Sequence, residues 1–436
     1  MPRRGPSLTK PMTKRFQFLI VTSSTCLLVL LLMGSFMSSS RAADDAYRQF
    51  AVYTDVLQKI KAEYVEEPDI KNVTLGALTG LLESLDPYAS YLNADQYKQY
   101  LKSRESRKGD VGLVLARRYG YIAIVDAIPG SPAAKAGLST GDLLETITGV
   151  ATRDMPLAFA DMLLHGDVGS KVDIAVLFVR RGAEPKKITL TREMIQDPPV
   201  TARLTSNDVG HIQAQSLSGG KAKEIAGHAR DLERKGAKRL ILDLRDNATG
   251  TPEEGIALAN LFLDKGLITY LLGQKMERRN FEADAARVVS RLPLVVITNR
   301  GTAGGAEIAA AALLDNKRAE VVGERTYGDA AVRRALTLED GSAVIMSVAK
   351  YYSPAGKAIQ DNAVTPSVLV MEAEPVVDLD DDEPAPPPPT KQEEDVLLKK
   401  AIEVLTTGKI ARDRPGTAAP ETAPRVLTPL NVPRPQ

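Results

Sequence analysis

Tryptophan is absent from this chain of 436 residues, and aromatic residues make up only 5% of it. Any core must therefore be built from aliphatic side chains and alanine. Cysteine occurs once, as Cys26, which excludes a disulfide framework and a cysteine-based zinc site. The three histidines, His165, His211 and His228, lack the spacing of a ligand set, so neither a metal nor another cofactor is expected. Net charge is also nearly absent, at +1. With no basic field and no basic stripe interleaved with aromatics, nucleic acid is not an expected partner. What remains is 44% apolar and 25% charged, the balance of a soluble globular protein, and the length calls for two to three folded units.

The N-terminus departs from that balance. Arg3, Arg4, Lys10, Lys14 and Arg15 precede an apolar run at 16–36, about the length that spans a bilayer. Basic residues on its N-terminal side hold that end in the cytoplasm, so the rest of the chain is expected across the inner membrane, on the periplasmic face. The run reads either as a signal anchor or as a signal peptide cleaved near Ser40-Arg41-Ala42, and both readings stay open for residues 1–43.

Residues 44–109 carry apolar positions at helical spacing, among them Phe50, Val56, Leu57, Ile60 and Tyr64, and are expected to be helical. Residues 110–193 read as short strands with helical pieces at Ala133–Gly137 and Leu157–Leu164. Over 194–371 strands such as Leu240–Leu244 and Leu294–Ile297 alternate with helices, which predicts an α/β layered core. An acidic run and a proline run make 372–394 a solvated linker. An amphipathic helix is expected over 395–406 and a disordered tail over 407–436.

The segment 110–193 resembles a PDZ domain. Val111-Gly112-Leu113-Val114 matches the carboxylate-binding loop, and Ser131-Pro132-Ala133-Ala134-Lys135-Ala136-Gly137-Leu138 with Gly141-Asp142-Leu143-Leu144 matches the second half of the bacterial pattern. A glycine there lets consecutive N–H groups converge on a peptide's terminal carboxylate, while a strand edge takes the peptide as an added strand. His165, after the second helix, is read as a loop residue.

Four further segments resemble the C-terminal processing peptidases, serine peptidases of family S41. Leu85-Asp86-Pro87-Tyr88-Ala89-Ser90-Tyr91-Leu92 is similar to L-D-P-H-S-S-Y-L, and Asp243-Leu244-Arg245-Asp246-Asn247-Ala248-Thr249-Gly250 to D-L-R-N-N-P-G-G. Gly323-Glu324-Arg325-Thr326-Tyr327-Gly328 is similar to G-E-K-T-F-G, and the run from Tyr351 to Gln360 to Y-Y-T-P-S-G-R-S-I-Q. The resemblance covers about residues 50–370 in order. It implies a crotonase-like (ClpP/crotonase-type) α/β core, an inserted PDZ domain and an N-terminal helical segment.

In that family a serine attacks the peptide carbonyl and a neutral lysine takes its proton. The resemblance puts Gly304 at the serine position, within Thr302-Ala303-Gly304-Gly305-Ala306-Glu307-Ile308, and Asp329 at the lysine position. Arg333 replaces the motif's glutamine, Asp315 is retained, and the oxyanion region carries Thr249 and Gly250 after Ala248. No serine lies between Ser290 and Ser342 and no lysine between Lys317 and Lys350, so a shifted register restores neither. The nearest hydroxyl, Thr302, is two positions early on a tight turn, where displacement costs orders of magnitude in rate.

The expectation is thus an inactive relative that binds protein C-termini through its PDZ groove, as a scaffold or as a regulator of an active relative. Two alternatives stand beside it: an active serine endopeptidase using other residues, and a different enzyme built on Asp329, Arg333 and Asp315.

Overall fold

The structure is a computed structural model that describes residues 23–25, 48, 50–105, 109–118, 120–153, 155–178, 184–205, 208–371 and 395–407. The linker at 372–394, the tail beyond Thr407 and all but three residues of the run at 16–36 lie outside these. Among the described residues no helix is long and apolar enough to cross a membrane.

The chain falls into two units, Met1–Ala77 and Leu78–Gln436. The first holds helix α1 (50–63) and the start of α2 (Ile70–Glu83). Asp69 opens α2 by accepting from the backbone N–H groups of Lys71 (3.0 Å) and Asn72 (3.2 Å).

In the second unit, Pro87 follows α2 and the chain becomes extended. One short strand interrupts the helical region expected over 44–109. Ser90–Leu92 is strand β1, with Ser90 opposite Ile345 in an antiparallel pair. Its alternating burial suits a strand, and sheet pairing outweighs the helical neighbourhood. Helix α3 (Ala94–Glu105) follows, opened by a reciprocal cap in which Asn93 accepts from Gln96 N–H (2.9 Å) and Gln96 from Asn93 N–H (3.1 Å).

The PDZ module is an antiparallel sheet of β2 (Leu113–Arg118), β3 (Tyr121–Ala127), β4 (Leu143–Ile147), β5 (Val150–Ala151), β6 (Lys171–Leu177) and β7 (Lys186–Thr191). Its order is β2-β3-β4-β6-β7, with β5 paired to β4, so β2 stands at an edge. Helix α4 (Pro132–Lys135) starts where Ser131 accepts from Ala134 N–H at 3.1 Å with Pro132 in the first turn, and α5 (Leu157–Leu164) packs beside β2.

The core is built on a sheet of order β17-β14-β13-β10-β9-β8, parallel except at β8. Its strands are β8 (Thr201–Thr205), β9 (Val209–Gln213), β10 (Arg239–Asp243), β13 (Leu294–Thr298), β14 (Ala319–Gly323) and β17 (Val368–Leu369). A second, antiparallel sheet joins β1 to β16 (Ala343–Tyr352), β11 (Leu267–Gly273) and β12 (Met276–Glu282), with β15 (Ala331–Thr337) on β16. Thus the PDZ module is inserted between β1 and the rest of the core.

Helices α6 (Lys221–Arg234), α7 (Pro252–Asn260) and α8 (Gly305–Asp315) fill the space between the sheets, and α9 (Ile359–Asn362) closes one end. Ala222, Ile225, Ala229 and Leu232 form the buried stripe of α6 at helical spacing. Strand alternation then divides β10. Leu240 and Leu242 join the helical core, while Ile241 faces away, with Val295, Ile297 and Val322, toward α10 (Val396–Thr407). Leu397, Ala401 and Val404 of α10 cover that face, which explains why β10 reads as a continuous apolar run. Arg245 anchors α10 by bonding both Asp243 (2.7 Å) and Asp395 (2.7 Å).

Candidate functional site

The turn between β13 and α8 places Gly304 at the helix start with φ +63° and ψ −123°. This sharp strand-to-helix turn is the kind that presents a nucleophile above a sheet. A Cβ at Gly304 would meet nothing closer than the Asp329 carbonyl oxygen at 3.7 Å. The sequence-aligned positions 304 and 329 are therefore neighbours.

Glu307 makes them so. Its side chain is fully buried and accepts from the backbone N–H groups of Gly304 (3.1 Å), Gly328 (2.7 Å) and Asp329 (2.7 Å), and from the Thr326 hydroxyl. Burial pushes its pKa up to about 7 against the lowering pull of these donors. Sequence reasoning used Glu307 only to fix the register. The available signal was a glutamate three residues past a helix start, where it can satisfy the first-turn donors.

Asp329 forms an ion pair with Arg333, whose guanidinium lies 3.8 Å over the Tyr88 ring. Arg333 is held protonated chiefly by Asp329 against the opposing effect of burial. Tyr88 packs edge-on against Tyr327 with ring centroids 6.5 Å apart, and Arg118 of β2 lies 4.6 Å over Tyr327. Burial, helped by the Asp329 charge, pushes the Tyr88 phenol well above its usual range. The phenol is thus a neutral group and no nucleophile at ordinary pH. The set at this position is an acid, a cation and two phenols packed on one another. Asp315 is not part of it. It sits at the far end of α8, about 15 Å away by helical rise, and accepts from Ala355 N–H at 2.9 Å. The sequence-level grouping of Asp329, Arg333 and Asp315 as one site is corrected by that separation.

Thr302 is fully buried; its hydroxyl donates to the Leu244 carbonyl (2.8 Å) and accepts from Asn299 N–H (3.0 Å). In the segment expected to be the oxyanion region, the Thr249 carbonyl accepts from Leu217 N–H (2.9 Å) and the Thr249 hydroxyl is buried with no partner among the described residues. Gly250 has φ +120°, and a Cβ there would lie 2.0 Å from the Leu217 carbonyl oxygen. The Thr251 carbonyl oxygen would be 2.5 Å from a Cβ on Gly305, so this segment packs directly on the start of α8.

The Leu85–Leu92 segment binds these parts together. Asp86 accepts from the N–H groups of Tyr88 (2.9 Å) and Ser347 (2.9 Å), and Gln360 reaches it at 3.4 Å. Glu83 pairs with the buried Arg117, whose N–H donates to the Pro87 carbonyl at 3.3 Å. Thus the segment lies along the far end of the β2 edge.

At the near end of that edge lies the loop Val111-Gly112-Leu113-Val114. Gly112 has φ +80°, and a Cβ would fall 2.2 Å from the Ser131 Cβ. The carbonyls of Val111 and Gly112 accept from Ala133 (3.0 Å) and Ile128 (2.9 Å), fixing the loop on α4. His165 is not a free loop residue. It ends α5 and pairs with Asp110 at 3.3 Å; the partner carboxylate raises its pKa against burial. Asp110 in turn accepts from Val111 N–H at 2.6 Å, so His165 braces the loop from behind.

One further pair joins module and core. Asp126 of β3 is 3% exposed, with the Ala248 N–H directed at it and one carboxylate oxygen that has no partner among the described residues. Burial and the neighbouring Asp246 push its pKa up to about 8.

Comparison with known proteins agrees with this layout. A profile of peptidase family S41 matches residues 208–370 and a PDZ-domain profile matches 124–177. The carboxy-terminal processing protease CtpA of Bacillus subtilis is 32% identical over 366 residues, 82% of this chain and 77% of that protein. The carboxyl-terminal-processing protease of Synechocystis is 34% identical over 321 residues, covering 71% and 74%. Among solved structures, the photosystem II D1 C-terminal processing protease superposes with a TM-score of 0.60 at 27% identity, covering 72% of this chain and 86% of that one.

Proposed function

This chain belongs to the carboxy-terminal processing proteases of peptidase family S41, and we propose that it is a member that binds protein C-termini without cutting them. The observation that carries this reading is the pairing at the aligned catalytic positions. Gly304 has no side chain to attack a carbonyl, and Asp329 is engaged by Arg333 where a neutral lysine base would stand. The nearest hydroxyl, Thr302, is committed to the backbone of its own turn. Nucleophile and base act as a unit, and losing them removes several orders of magnitude of rate. The altered oxyanion segment, Ala248-Thr249-Gly250, supports the same reading.

The groove supports the binding half. The loop 111–114 is braced by Ser131, Asp110 and His165, and the β2 edge beside α5 suits an added peptide strand ending in a free carboxylate. The protein would then serve as a scaffold, or as a regulator of an active relative. Its place is the periplasmic face of the inner membrane, anchored or released, on the strength of the basic residues before the run at 16–36.

The test is direct. The full chain should leave an unfolded protein substrate intact while binding a peptide with a free apolar C-terminus, and amidating that terminus should weaken binding at least about tenfold. Degradation that disappears on Thr302→Ala or Asp329→Ala would establish an active peptidase instead.

A further inference from the structure

One cavity lies away from the aligned catalytic positions. It has a volume of about 390 Å³ and sits at the C-terminal end of α8, against α9 and the turn at 353–357. That size falls within the roughly 300–1,000 Å³ of small-molecule sites. Three of the segments set apart in the sequence meet here: Asp315, Arg325 and the Ser353–Lys357 turn. None of the three takes part in the Gly304–Asp329 arrangement.

The lining has a definite chemistry. Leu314, Ile359 and Val364 give an apolar wall. Arg325 donates to the Asn362 carbonyl at 3.0 Å, and neither Arg325 nor Lys357 is paired with a carboxylate among the described side chains. Asp315 is occupied with the turn, accepting from Ala355 N–H at 2.9 Å. Ser353 is 6% exposed, lines the cavity, and its hydroxyl has no partner among the described residues. A buried hydroxyl without a bond costs free energy unless something that enters the cavity supplies one. The cavity wall is also held under constraint. Ala363 has φ +50° and ψ −174°, a conformation that glycine adopts freely and alanine does not.

We propose that this cavity is a binding site for a small organic anion, with a carboxylate or phosphate head set between Arg325 and Lys357, bonded by Ser353, and a short apolar body on the wall of α8. Two cations without a carboxylate partner among the described side chains, against one committed carboxylate, set the sign of the ligand. The apolar wall sets its body. The site is independent of whether the chain cuts peptides, so its test and the proteolysis test fail separately.

The experiment is calorimetric titration of the full chain with hexanoate, hexyl phosphate and inorganic phosphate. Saturable binding of hexanoate or hexyl phosphate is expected, and the two heads distinguish a carboxylate from a phosphate ligand. Arg325→Gln with Lys357→Gln should weaken it at least about tenfold, since both charges are lost. Ser353→Ala should weaken it a few fold, and Arg278→Gln, a surface cation on β12, should leave it unchanged. The replaced cations are exposed, so the double variant should melt as the parent does without ligand. No saturable binding by any probe, equal affinity in the double variant, or phosphate binding as tightly as hexyl phosphate would each overturn the assignment.

Discussion

Gly112 and Gly304 both have positive φ, both occupy a motif position, and they are glycines for opposite reasons. At Gly112 the backbone and the space agree: φ is +80° and an added Cβ would lie 2.2 Å from the Ser131 Cβ. At Gly304 φ is +63°, but the nearest atom to an added Cβ is 3.7 Å away. The PDZ loop demands a glycine. The elbow has its turn and room for a side chain. The turn that aligns with the family's serine position thus keeps its geometry with a glycine in it, held by Glu307.

The comparison can be broken most forcefully at the PDZ loop. Gly112→Ala should destabilise the protein by roughly 3 kcal/mol, combining steric overlap with a strained backbone. A lowered denaturant midpoint and lost peptide binding would report it. Adding Ser131→Gly should recover part of this despite removing the α4 cap. No loss in the single variant would mean that the loop has slack.

A smaller effect is expected at the elbow. Gly304→Ser should cost about 1–2 kcal/mol, from backbone strain alone, and should fold normally. By itself it should give no proteolysis, because Asp329 stays paired with Arg333. Gly304→Ser with Asp329→Lys should give weak cleavage at most. A cost equal to that of Gly112→Ala would show that room at the elbow had been misjudged.

The third effect depends on pH and lies between the two glycines, at Asp126. Its folded pKa, about 8, is raised above the ordinary value of 3.8. Its contribution to stability is therefore fully present below pH 4 and is lost as pH rises through about 8. Asp126→Asn, which cannot ionise, should flatten that part of the profile. Melting temperatures of both proteins at pH 5 and pH 8 would show it; parallel slopes would rule out this carboxyl as the source.

How much of this was legible beforehand follows from what a sequence can carry. Local patterns carried α5 and β10, and the order of the motifs carried the core. Gly304 and Asp329 could be aligned because Glu307-Ile308 and Gly328 flank them. The strand at Ser90–Leu92 was missed because its partner is some 250 residues away. Long sequence separation also hides the stack of Tyr88 on Arg333, the approach of Asp126 to Asp246 and the hold of Arg245 on Asp395. None of these has a period; each is a product of the finished packing. The amphipathic stripe of α10 could be read, but not which sheet face it would cover.

The backbone bridge between Asp110 and Glu193 has a mechanical meaning. These residues exchange N–H···O bonds of 2.9 Å each where the chain enters and leaves the PDZ module. The two connections therefore leave the core side by side, as one stem. A second hold lies away from the stem, where Arg118 stands over the Tyr327 ring and Tyr88 and Ala303 pack among the module's own apolar side chains. Two separated holds leave a body on such a stem no free axis to turn about.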